Sequence, residues 1–108
     1  MTSAKFKGYQ NAMEPLVADE MEQQLQTLPR NLAEAIDLSE AMVYALNRLP
    51  PLYATSPQGW AFQLEYAREN LQRTIPQAVA WGLRVAQRKQ KNSSAPAQTE
   101  FMGITTHF

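Results

Sequence analysis

The sequence predicts an all-α fold, a small domain of four helices that pairs with a second copy of itself. Three observations carry this. Apolar residues recur at helical spacing over four separate stretches. Prolines and cap residues punctuate the gaps between them. No internal repeat and no convincing strand is visible. With 108 residues, 44% of them hydrophobic, the chain suits one domain with a modest core. The expected organisation is a flexible N-terminus over 1–8, the helical domain over 9–90, and a largely disordered C-terminal tail over 91–108.

The first helix is expected to open at Asn11, a good N-cap, with Glu14 three residues on as in a capping box. Pro15 is tolerated because first-turn N–H groups have no intrahelical partner. Met13, Leu16, Val17, Met21, Leu25 and Leu28 form its apolar stripe, and Pro29 ends it. Residues 30–36 read either as one short helical turn or as a loop. Asp37 followed by Glu40 repeats the capping pattern and opens the second helix, which buries Ala41, Met42, Ala45, Leu46 and Leu49. Pro50 and Pro51 stop it and turn the chain into a stiff extended strap.

Ser56-Pro57 opens the third helix, with a hydroxyl cap and proline at the first helical position. Trp60, Leu64, Ala67 and Leu71 are its expected core face. Phe62 and Tyr66 form a second aromatic stripe, and Glu69 is spaced to pair with Arg73. Thr74-Ile75-Pro76-Gln77 either starts a fourth helix or kinks a long one. A threonine cap with Gln77 favours a fresh start, and a kink or tight corner is expected because no glycine is present for a long loop. Ile75, Val79, Gly82, Leu83 and Ala86 carry it to about Arg88. Residues 90–100 are polar and expected to be disordered, while Phe101-Met102-Gly103-Ile104 is apolar enough to dock somewhere, a neighbouring subunit being one place for it. Trp60, Phe62, Tyr66 and Trp81 point around more than one helix face. A helix apolar on two sides needs two partners, so a homodimer built on the third and fourth helices is expected.

The chain has ten basic and ten acidic residues, but they are segregated. Residues 9–40 hold seven acids against Arg30 alone, and residues 70–99 hold Arg73, Arg84, Arg88, Lys89 and Lys91 with no acid. So acidic a first half argues against a dedicated nucleic-acid-binding domain, and direct nucleic-acid binding is not expected. The absence of cysteine excludes disulfides, a thiolate zinc site and a cysteine nucleophile, and fits a cytoplasmic setting. No apolar run approaches the roughly 20 residues of a membrane span, and the N-terminus lacks the apolar region of a secretory signal.

No catalytic constellation emerges. His107 is the single histidine, the four glycines are isolated, and no acid–histidine cluster suggests a metal cage. The expectation is therefore no enzyme, no metal and no cofactor. Binding remains, with Tyr9, Asn11, Glu14, Arg48, Tyr53 and Arg68 as the candidate residues. Arginine forks to phosphate or stacks on a base, tyrosine stacks, and a carboxylate accepts from guanine N–H groups. The plainer roles are capping for Asn11 and Glu14, a helix end for Arg48, and an ion pair with Glu65 for Arg68.

Three blocks carry a family resemblance: Tyr9-x-Asn11-x-Met13-Glu14-x-Leu16-Val17, Ala45-Leu46-Asn47-Arg48-Leu49-Pro50-Pro51-x-Tyr53, and Gly59-Trp60. They resemble the late competence development protein ComFB family over about residues 9–90, the proline block being the most specific. The resemblance implies a bacterial, cytoplasmic, all-helical homodimer. Its closest branch implies a receptor for cyclic di-GMP or cyclic di-AMP that relays the signal to a partner protein. Some members bind zinc through cysteines between the first and second helices. Residues 30–36 contain none here, so zinc is not carried over. The alternative function is a protein–protein adaptor without a small-molecule ligand.

Overall fold

The computed structural model describes residues 8–92, and side chains up to Arg88. The expectations for residues 1–7 and 93–108, including docking of Phe101–Ile104, lie outside that span. The chain runs β1 (Gln10–Asn11), α1 (Met13–Leu25), α2 (Arg30–Ala35), α3 (Leu38–Asn47), β2 (Tyr53–Ala54), α4 (Pro57–Asn70) and α5 (Thr74–Asn92). The all-α class holds, with five helices among the described residues. The ambiguous 30–36 segment forms the short α2, which buries none of its own residues. The expected second, third and fourth helices are thus α3, α4 and α5.

The strands are a correction to the sequence reading. Gln10 pairs with Ala54 and Asn11 with Tyr53 in a two-residue antiparallel ladder. So short a pair carries no periodic signal, and the proline strap creates it. Pro50 and Pro51 keep the chain extended, which brings Leu52 against the start of α1. There the Leu52 carbonyl accepts from Ala12 N–H at 2.7 Å. Leu52 N–H donates to the Asn11 side-chain oxygen, also at 2.7 Å.

The starts of α3 and α4 follow the sequence, whereas α1 has Ala12 and not Asn11 at its N-cap, and ends at Leu25, short of Leu28 and Pro29. Asp37 accepts from the backbone N–H groups of Ser39 and Glu40, and Ser56 Oγ accepts from Gly59 N–H at 3.0 Å. Only three residues, Leu71 to Arg73, separate α4 from α5, so the corner is as tight as expected. The helix reaches Asn92, about one turn past the expected end.

α3 packs most extensively on α5, and α1 packs on both. Met13, Val17 and Met21 of α1 meet Ala41 and Ala45 of α3 and Ala78, Val79, Leu83 and Ala86 of α5 in one buried cluster. The α3–α5 crossing is close because Gly82 sits at it. A Cβ there would lie 2.6 Å from the Ala41 carbonyl oxygen and 3.3 Å from Ala45 Cβ. Small residues on both helices let the backbones approach.

α4 is the loosely held element, packing chiefly against β2. Ala67 is buried and Trp60 partly so, but Leu64 is 36% exposed, a departure from its expected core position. The cause is an open groove between α1 and α4. Phe62 and Tyr66 face outward, at 69% and 42% exposure. The expected Glu69–Arg73 pair is also replaced. α4 ends at Asn70, so Arg73 is on the corner, and Glu69 lies 3.8 Å from Arg68 instead. No helix among the described residues is long and apolar enough to cross a membrane.

Candidate functional site

The β1–β2 ladder gathers four of the six sequence-nominated residues. Tyr9, Asn11, Glu14 and Tyr53 line one cleft of about 450 Å³, together with Gln10, Pro15 and Trp60. Each is placed by a local rule. Tyr53 follows the proline strap and stands opposite Asn11 in the ladder. Tyr9 precedes β1, and its ring meets that of Tyr53 edge to face, with centroids 5.7 Å apart and planes at 75°. Both rings stay about half exposed, at 48% and 53%, which leaves face area open. Gln63 of α4 donates to the Tyr53 carbonyl at 2.9 Å and ties β2 to that helix.

Asn11 and Glu14 differ in what they have left to offer. The Asn11 oxygen accepts from Met13 N–H at 3.1 Å and from Leu52 N–H at 2.7 Å. It opens α1 and clamps the strap at once, so it builds the cleft. The capping-box partner role expected of Glu14 is absent. Its carboxylate is exposed in the first turn of α1 and accepts no hydrogen bond from any described residue. A carboxylate at the mouth of an aromatic-lined cleft is therefore open to a ligand.

The two arginines lie apart from this cleft. Arg48, at the C-terminal end of α3, places its guanidinium carbon 4.3 Å from the centroid of the Trp81 ring on α5. Trp81 in turn meets Tyr44 edge on at 5.7 Å. The proline corner thus sends Arg48 towards Trp81 and Tyr53 towards Tyr9, dividing a pair that the sequence placed together. Arg48 makes no ion pair with a described residue, so its N–H edges remain open to an anion. Arg68 is engaged on its own helix, by Glu65 and at 3.8 Å by Glu69. The Arg68 hydrogen bond, and secondarily one with Glu69, holds the Glu65 carboxyl below the ordinary carboxylate range. The Glu65 hydrogen bond raises the Arg68 guanidinium above its usual value.

Sequence reasoning assigned Trp60 to the core, whereas it lies half in the core cluster and half in the cleft wall. The available signal was its position one turn after the Ser56-Pro57 cap, level with the β2 strand. Trp81 and Tyr44 were not foreseen as the platform for Arg48. Their convergence joins residues 37 apart in sequence, and no local pattern encodes it.

None of the curated proteins matches this chain. Residues 10–90 match the family model described as late competence development protein ComFB. That span contains the strand pair, all five helices apart from the end of α5, and every cleft residue except Tyr9. The chain belongs to the ComFB family.

Proposed function

We propose that this protein is a non-enzymatic cytoplasmic receptor for a cyclic dinucleotide, cyclic di-GMP or cyclic di-AMP, that relays its signal to a partner protein. The observation that carries the reading is the Tyr9–Tyr53–Trp60 cleft with the unengaged Glu14 at its edge. Aromatic faces offer purine stacking, worth about 1–3 kcal/mol per base in nucleic-acid complexes. A free carboxylate matches the adjacent N–H donors of a guanine edge. Among the described residues the cleft lining holds no lysine or arginine, and a cyclic dinucleotide carries two phosphates. Arg48 is the better phosphate partner, being held by Trp81 with its donors open. Arg68 is already satisfied by Glu65. In this reading the protein is a homodimer, with Phe62 and Tyr66 of α4 in the subunit contact.

Isothermal titration calorimetry against cyclic di-GMP and cyclic di-AMP, with GTP and ATP as controls, tests the proposal. Glu14→Gln is expected to weaken cyclic di-GMP about 10- to 100-fold, the range for a hydrogen bond to a charged group. Arg48→Ala is expected to abolish binding while helical content stays intact. An exposed cation–π contact is worth only about 0.5–1 kcal/mol to the fold. A folded protein that gives no heat with either cyclic dinucleotide would favour the adaptor reading, which the outward aromatic pair on α4 also supports.

A further inference from the structure

A second depression of about 420 Å³ lies between α1 and α4, closed at one end by the start of α5. Its floor is apolar: Leu16 from α1, Leu64, Ala67 and Leu71 from the α4 side, and Ile75 from α5. Its rim is predominantly acidic. Asp19 and Glu20 stand on the α1 wall, and the one rim cation among the described residues, Arg68, is bound by Glu65. Glu20 also accepts from Gln24 at 2.9 Å, and Gln24 continues to the Pro76 carbonyl. That bridge fixes the α1 wall to α5.

The groove is the reason Leu64 stays exposed on the inner side of its helix. Among the described residues no hydrogen bond joins α1 to α4. Its walls, Leu16 to Gln23 on α1 and Leu64 on α4 to Leu71 just past its end, each run about two helical turns, or roughly 10 Å. An apolar trough of that length between two helices fits the apolar face of a third, read by residues at i, i+3 or i+4, and i+7.

We propose that the α1–α4 groove is the docking site for an amphipathic helix of a partner protein, whose apolar anchors are flanked by lysine or arginine. The charge of the rim selects this occupant. Asp19 and Glu20 attract cations at the edge of the trough and repel an acidic helix or a nucleic-acid backbone. The inference concerns the groove alone and stands whether or not the aromatic cleft binds a nucleotide.

The test is fluorescence anisotropy with two labelled, synthetic helical peptides of identical leucine spacing, one flanked by Lys/Arg and the other by Glu. The full chain is titrated, and nitrogen–proton NMR spectra map the contact. The basic peptide is expected to bind, to shift amides around Leu16, Leu64, Leu71 and Ile75, and to weaken at least tenfold in Leu64→Glu and Asp19→Lys. Both residues are exposed enough for these variants to fold, and circular dichroism checks that they do. Equal binding of the acidic peptide would overturn the proposal, as would affinity unchanged in both variants or no binding at all. Concentration-dependent shifts confined to the groove without peptide would show that a second copy occupies it, which also overturns it.

Discussion

A single oxygen, that of the Asn11 side chain, holds the entry of α1 and the end of the proline strap together. Removing it leaves the N–H groups of Met13 and Leu52 without that acceptor, and Leu52 is buried. Asn11→Ala is therefore expected to cost about 1–3 kcal/mol in urea unfolding, and an unchanged midpoint would refute the clamp. The same variant should also lower ligand affinity through a distorted cleft, whereas Tyr53→Ala should lower affinity at nearly wild-type stability. At Glu65 the sign of the pH effect follows from the depressed carboxyl. Its contribution is fully present above the unfolded carboxylate value and fades as pH falls through the lower folded value. The side chain is exposed, so the effect is best seen by NMR titration. Glu65 is expected to titrate below an ordinary glutamate, and Arg68→Ala should return it to the usual range.

The α3–α5 crossing depends on a missing side chain. Gly82→Ala gains about 1 kcal/mol of helix propensity but pushes a Cβ against the Ala41 carbonyl, a backbone atom that cannot rotate away. Overpacking of this kind costs about 1–3 kcal/mol, so a net loss is expected in thermal or urea unfolding. A stabilised protein would contradict the crossing. At this scale much of the fold was legible in the sequence. Asp37, Ser56-Pro57 and the Pro50-Pro51 stop act within a few residues, and each marks the boundary where it was read. The two-residue ladder was not legible, because its register comes from a strap meeting a helix entry 41 residues away. The candidate site was half legible for the same reason. Tyr9, Asn11, Glu14 and Tyr53 do converge, but Arg48 turns to Trp81 because α3 ends facing α5.

The molecule as a whole is a tight trio, α1, α3 and α5, with α4 held mainly through β2. The aromatic cleft lies at the start of the α1–α4 seam and the apolar groove further along it. Glu14 and Asp19, one in each, are five residues apart on α1, or about 7.5 Å along the helix. Trp60 and Leu64, four residues apart on α4, are likewise divided between the two. A ligand that draws α4 towards α1 at the cleft must reshape the groove as well. Thermodynamic linkage then requires that a groove peptide change nucleotide affinity by the same factor by which nucleotide changes peptide affinity. Titrating each in the presence of the other checks this. Two independent affinities would show that the depressions are uncoupled.

Calorimetry of the wild-type protein and Tyr53→Ala with cyclic di-GMP and cyclic di-AMP decides whether the aromatic cleft is a cyclic-dinucleotide site. Micromolar or tighter binding of at least one by the wild type is expected, with silence from GTP and ATP and a loss of tenfold or more in Tyr53→Ala at unchanged helical content. Absence of heat from the folded wild type, or equal affinity in the variant, would contradict it.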